Sequence, residues 1–264
     1  MLTVHTADAL WPGPGREPVP GGAVAVSGTR VAAVGPYAAV VAEHPGARVR
    51  RWPGLLTPGL VNRRAPELLE AIYHPDPREA DRLGTEPVRS PDLLDALALT
   101  PAQWAGSARR GLQRMLGHGT TAVTGPFRSP AVRTAVTRAG LVLLAPSVGA
   151  GAGAGAAVVG AGSAGHASLD PLDAVGTGVP GELPEAVLAG SLEPGARADF
   201  AVFDVPVGEF DVPVGEGAVG GYAAEGASAV PDVDVLAAVT ELVERGAGSC
   251  VATVLGGRLV HRQR

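Results

Sequence analysis

Pro53-Gly-Leu-Leu-Thr-Pro-Gly-Leu-Val-Asn-Arg-Arg64 is the stretch on which the reading of the fold turns. Leu55, Leu56, Leu60 and Val61 make an apolar run of strand length, Pro58-Gly59 forces a turn inside it, and it ends in the polar triplet Asn62-Arg63-Arg64. The pattern is a short buried strand that delivers polar groups at its end, where chemistry is expected.

On the N-terminal side, Leu2–Thr6 alternates like a strand and a Pro/Gly-rich loop runs from Trp11 to Gly21. Ala23–Val26 and Arg30–Val34 read as a hairpin around Ser27-Gly28-Thr29, Tyr37–His44 as a short helix closed by Pro45-Gly46, and Arg48–Trp52 as a further strand. On the C-terminal side, Thr100–His118 starts with a Thr-Pro signal and spaces Trp104, Ala108, Leu112, Met115 and Leu116 as one helical face, with Arg109, Arg110 and Arg114 turned away. A strand (Thr120–Thr124), a helix (Ser129–Arg138) and a strand (Leu141–Ala145) follow. Val233–Arg245 reads as an amphipathic helix packed on the β-domain.

Four segments carry a family resemblance. The N-terminal run ending in Pro58-Gly-Leu-Val-Asn62 resembles the start of the amidohydrolase superfamily, most closely the composite β-domain of imidazolonepropionase and of aminodeoxyfutalosine deaminase-like proteins. Gly190-Ser-Leu-Glu-Pro-Gly-Ala-Arg-Ala-Asp-Phe-Ala-Val-Phe-Asp204 is similar to the segment that returns the chain to that domain, and Cys250–Val254 with Arg258–His261 to its terminal hairpin. Helix 100–118 followed by Gly117-His-Gly-Thr-Thr121 resembles the first barrel helix and second barrel strand of the family.

The resemblance implies a mixed α/β fold: a split β-sandwich composite domain from residues 1–61 and 186–264, plus a βα-barrel remnant over 62–148 and a Gly/Ala-rich linker over 149–185. A closed eight-stranded barrel takes roughly 250 residues. Only about half that number separates the two β-half-domains, so at most three barrel strands fit and the barrel is incomplete.

The same resemblance places two metal-binding histidines at the end of the first barrel strand. Arg64 and Pro66 occupy those positions. A guanidinium is a permanent cation without a lone pair to offer, and proline has no side-chain donor, so neither ligates a metal. The chain also has no Lys that could bridge two metals; all 21 basic residues are Arg. Catalytic and metal residues are therefore expected to be none, and a metal cofactor none.

Weak substitutes remain. In Tyr73-His-Pro-Asp-Pro-Arg-Glu-Ala-Asp81, His74 and Asp76 offer N and O donors, though Asp76-Pro77 with Glu79 is also a strong helix-start signal. His118 lies between two glycines after a helix, where the helix dipole also favours it. His166 has Ser163, Ser168 and Asp170 near it, without a Gly-x-Ser-x-Gly elbow, and the Gly149–Gly165 run matches no phosphate loop.

Composition narrows the function classes. With 46% apolar residues, 4% aromatic, Gly 38 and Pro 24, the core is to be built of Val, Leu and Ala between many turns. Ala/Gly/Pro/Arg-rich usage without Lys is what a GC-rich genome produces. A net charge of −5 argues against nucleic acid or an anionic membrane as the main partner. The single Cys250 excludes an internal disulfide, and the N-terminus lacks a secretory pattern, so a cytoplasmic setting is expected. The duplicated Asp204–Glu209 and Asp211–Glu216 reads as slippage in a loop.

The expectation is an inactive amidohydrolase-like binding or assembly module, with a homodimer or a protein partner on the open barrel edge. The alternative is a small hydrolase of C–N bonds with zinc or iron at a site rebuilt around His74 and Asp76.

Overall fold

The computed structural model describes residues 2–145, 167–174, 183–207 and 234–263. The Gly/Ala run at 149–166, with Ser163 and His166, and the second copy of the duplicated segment, Asp211–Glu216, lie outside the described residues.

Strand β1 (Leu2–Leu10) is followed by the two-residue β2 (Val19–Pro20), β3 (Gly22–Ser27), β4 (Arg30–Pro36), helix α1 (Tyr37–Glu43) and the long β5 (Arg48–Pro58). Next come β6 (Leu60–Asn62), α2 (Ala65–Glu70), α3 (Ala80–Leu83), α4 (Pro91–Leu97), α5 (Pro101–Leu116), β7 (Thr120–Thr124), α6 (Pro130–Ala139) and β8 (Val142–Leu144). The chain finishes with β9 (Phe200–Phe203), α7 (Val235–Arg245), β10 (Cys250–Leu255) and β11 (Arg258–Arg262).

Two sheets result. The larger has the order β11-β10-β9-β5-β1-β3-β4, with β2 paired to β1; the smaller is β6-β7-β8. In the larger, β1 and β5 run parallel while β9 enters antiparallel between β5 and β10, so strands from both ends of the chain complete one sheet.

The sheet folds over on itself. Gly28 in the β3–β4 turn and Gly257 in the β10–β11 turn belong to hairpins at opposite ends of the strand order, yet a Cβ on Gly257 would sit 2.1 Å from the Gly28 carbonyl oxygen. Val24, Val26 and Val31 share one buried cluster with Leu56, Phe200, Val202 and Val254. The two halves of the composite domain thus share one multi-stranded sheet that curls over an apolar interior. Outside it, α7 lays Val235, Ala238, Val239 and Leu242 on Leu55, Leu60 and Phe203. Burying each such side chain is worth about 1.5–3 kcal/mol for the larger ones, which is what holds an 11-residue helix that would be marginal alone.

The opening stretch is the crossover between the sheets. Within β5, Gly54 adopts φ +73° and donates its N–H to the Asp8 carboxylate at 2.7 Å, which bulges the strand beside β1. At Gly59 the chain steps into the smaller sheet, where Leu60 N–H meets the Gly119 carbonyl at 2.9 Å. β6 thus straddles the expected domain boundary at residue 61.

The smaller sheet is fully parallel, so each return needs a crossover. The helices α2, α5 and α6 supply its apolar cover: Leu68, Leu69, Leu112, Met115, Val132 and Val136 pack with Val123. α5 carries the expected face, capped by Thr100, whose hydroxyl accepts the Gln103 N–H while the Gln103 side chain returns to the Thr100 N–H. Arg110 departs from the expectation, because it is half-buried and reaches under the loop that precedes α3.

The linker expectation over 149–185 needs correction for its described part. Ala167, Leu172 and Leu183 are buried, and Asp170 accepts the N–H groups of Leu172 and Ala247 at 2.8 and 2.6 Å. Enough apolar side chains stand there to be drawn into the two cores. Among the described residues, no helix is long and apolar enough to cross a membrane.

Candidate functional site

In a parallel βα array the reacting groups stand at the carboxyl ends of the strands. Here those ends present Asn62-Arg63-Arg64 after β6, Thr124-Gly125-Pro126 after β7, and Leu144-Ala145 after β8. Asn62 is buried and fully used: its Oδ1 accepts the Arg64 N–H at 2.9 Å and its Nδ2 donates to the carbonyls of Ser168 and Leu169, each at 3.3 Å. Arg63 donates to the Ala186 carbonyl at 2.8 Å, and the Thr124 hydroxyl donates to the Arg63 carbonyl at 2.9 Å.

Arg64 and Pro66 have become the start of α2. Arg64 is its N-cap residue and pairs with Glu67 at 3.0 Å, while Pro66 occupies the first turn, where its missing N–H costs nothing. This donor set, one engaged amide, two guanidiniums and a proline, does not fit a divalent metal. Among the described residues no group of three or more His, Cys, Asp and Glu side chains is gathered as a metal would require.

The substitutes are structural. His74 is wholly buried against Gly111 of α5, where a Cβ would come within 2.8 Å of its Nε2. Its Nε2 lies 3.0 Å from the Leu68 carbonyl and so carries the proton; Nδ1 has no partner. Burial, helped by Arg114, Arg110 and Arg89 and opposed by the Leu68 bond, lowers its pKa to about 4.

Asp76 is a cap. Its Oδ1 accepts the Arg78 N–H at 3.0 Å and Glu79 answers by accepting the Asp76 N–H at 2.9 Å, the reciprocal box that the sequence offered. Its other oxygen pairs with Arg110 at 3.1 Å, and Arg110 also holds the His74 carbonyl at 2.8 Å. Tyr73 completes the knot by donating to Glu79 at 2.7 Å; its own phenol is pushed up to about 12 by burial and by that carboxylate. Arg110 and Ser107, whose hydroxyl accepts the His74 N–H at 2.8 Å, were not legible as parts of this knot.

His118 is half-buried and donates Nδ1–H to the Arg114 carbonyl at 2.8 Å, closing the C-terminal turn of α5. It stands apart from His74 and Asp76, near Asp170, whose carboxyl is raised above the usual range by burial. Asp170 in turn is spent on backbone N–H groups. The structure therefore brings none of His74, Asp76 and His118 together as a reactive set.

Residues 22–47, from β3 through α1, match the family model described as "Imidazolonepropionase-like composite domain, bacteria". The chain also aligns with solved structures: ochratoxinase of A. niger (23% identity, TM-score 0.39, covering 55% of this chain and 31% of that one), and guanine deaminase from Bradyrhizobium japonicum (15%, 0.38, 55% and 34%). A third is an adenosine deaminase from Xanthomonas campestris with bound zinc (22%, 0.37, 54% and 33%). The aligned region spans about a third of the length of each of these proteins. No curated protein sequence matches the chain significantly.

Proposed function

We propose that this chain is a catalytically inactive amidohydrolase-like protein that serves as a binding or assembly module. The observation that carries the reading is the conversion of the carboxyl end of β6 into a helix start, with Arg64 as cap and Pro66 in the first turn. A first strand end used this way has no position left from which to hold or activate water.

The smaller sheet supplies the assembly surface. The outer edge of β6 is covered by a bridge from Leu60 to Leu188 and by the Ala189 N–H to Gly59 carbonyl bond at 2.8 Å. Among the described residues nothing pairs with the far edge of β8, and Leu143 on that strand is 55% exposed. An unpaired strand edge with an apolar side chain is a template for another strand, so the partner edge is β8, either in a second copy or in a different protein. A cytoplasmic setting suits the reduced, deeply buried Cys250.

Elemental analysis of the purified protein together with its mass in solution tests both halves. The expected result is far less than one zinc or iron per chain, and a dimer that Leu143→Arg converts to a monomer. About one metal per chain, lost in His74→Ala, overturns the reading in favour of a C–N hydrolase with a rebuilt site. A wild-type chain that stays monomeric and captures no partner overturns the assembly role.

A further inference from the structure

A cleft of about 380 Å³ opens where the tips of the two touching hairpins meet the end of α6, away from the strand ends discussed above. Four guanidiniums surround it, from four separate segments: Arg30 in the β3–β4 hairpin, Arg138 in the last turn of α6, Arg197 before β9, and Arg258 in the β10–β11 hairpin. In a chain of net charge −5, so many like charges around one concavity is an arrangement that self-repulsion opposes.

Two of the four are fixed by the fold. Arg30 donates to the Gly195 carbonyl at 2.8 Å. Arg197 donates to the Gly140 carbonyl at 2.7 Å and pairs with Asp199 at 3.3 Å, lying over Gly256, where an added Cβ would come 3.3 Å from its Nη2. Asp199 is the one carboxylate among the described residues that pairs with any of the four, and it also accepts the Gly256 N–H at 2.6 Å. The side chains of Arg138 and Arg258 are exposed and make no hydrogen bond or ion pair among the described residues, so both forks are open for a ligand. Capping of α6 accounts for Arg197 at the Gly140 carbonyl and the helix dipole favours Arg138 in its last turn; neither accounts for Arg258.

We propose that this cleft binds a small organic dianion, a phosphate monoester or a dicarboxylate. Guanidinium forks match carboxylate and phosphate oxygens bidentately, and two pre-positioned arginines with two free ones provide for two charges. Leu255 and Val260 line the same space and supply contact for the carbon part of the ligand, in a cleft whose size is that of small-molecule sites. The arginines converge on one concavity and do not run along a track, which separates this site from a nucleic-acid surface. The site is independent of whether the β6 end is inert.

Calorimetric titration of the full chain at low ionic strength with inorganic phosphate, pyrophosphate and succinate tests it. Saturable binding of at least one probe is expected, weakened at least tenfold in Arg138→Gln/Arg258→Gln and unchanged in Arg48→Gln/Arg109→Gln, which removes the same charge elsewhere on the surface. Preference for phosphate probes or for succinate assigns the ester or the dicarboxylate. Amide shifts of Thr29, Gly140 and Gly256 on adding the bound probe to the unaltered protein give a reading that needs no variant. Absence of saturable binding by all three probes, equal loss in the two double variants, or shifts elsewhere would overturn the proposal.

Discussion

Lowering the pH destabilises this protein through two buried neutral histidines, and His74→Gln halves the effect. His5 and His74 are 2% and 0% exposed, and both have pKa values lowered to about 4 by burial, His5 with help from Arg50 and His74 with help from Arg114, Arg110 and Arg89. The bonding demands the neutral form in each case. His5 Nδ1 accepts the Trp52 indole N–H at 3.2 Å, a bond that protonation breaks. His74 Nδ1 has no partner, so protonation creates a buried donor with nowhere to go. In the unfolded chain both titrate near 6.5. Between pH 6.5 and 4 the unfolded state binds more protons, so stability is complete above that window and falls with pH through it. At about pH 5 the loss is roughly 1.5 pH units at about 1.4 kcal/mol per unit, or ~2 kcal/mol per histidine and ~4 kcal/mol for the pair. His261, also lowered by burial, acts in the same direction; Asp170 and Asp199, raised by burial, act against it as they take up protons. Denaturant unfolding at about pH 7.5 and 5.0 is the assay, and in His74→Gln the difference should shrink from ~4 to ~2 kcal/mol. A variant whose difference equals that of the wild type would refute the reasoning, since His74 would then titrate as freely in the folded protein as in the unfolded one.

Two further perturbations have stated outcomes. Gly54→Ala places a Cβ 2.2 Å from the Phe203 carbonyl oxygen at a residue with φ +73°, so strain and overpacking together should cost about 2–5 kcal/mol in denaturant unfolding; a loss under about 1 kcal/mol contradicts the bulge geometry. Asp76→Ala removes the cap and the Arg110 pair and should lower stability by about 0.5–2 kcal/mol without changing metal content; a drop in bound metal contradicts the capping role.

What was legible in the sequence follows from what is local. The α5 helix was readable from its Thr-Pro start and 3.6-residue apolar spacing, and the β3–β4 hairpin from Gly28, which has φ +59°. The three strands of the smaller sheet were countable for the same reason. The curl of the larger sheet was not, because it depends on Gly28 meeting Gly257 across the whole chain. Asp76 was readable as a cap from Asp-Pro and Glu79, but its other partner, Arg110, looked like one of several exposed arginines. The arginine cleft had no sequence signal at all, since Arg30, Arg138, Arg197 and Arg258 come from four distant segments and share no spacing.

An incomplete barrel raises the question of what keeps the small sheet in place, and the contacts between the sheets answer it. The Thr253 hydroxyl of β10 donates to the Leu116 carbonyl at the end of α5, at 2.6 Å. Leu255 of β10 lies in the cluster that covers the small sheet, and Leu60 of β6 lies in the one that covers the large sheet, so each core contains a residue of the other unit. Gly119, with φ +70°, lets β7 begin directly against Phe203 and Ala201; a Cβ there would come within 2.7 Å of the Phe203 ring. The small sheet is therefore anchored along its β6 and β7 side by the curled β-domain. Closure of a barrel is not needed to hold that side; among the described residues the far edge of β8, like β11 at the end of the larger sheet, has no strand paired beside it.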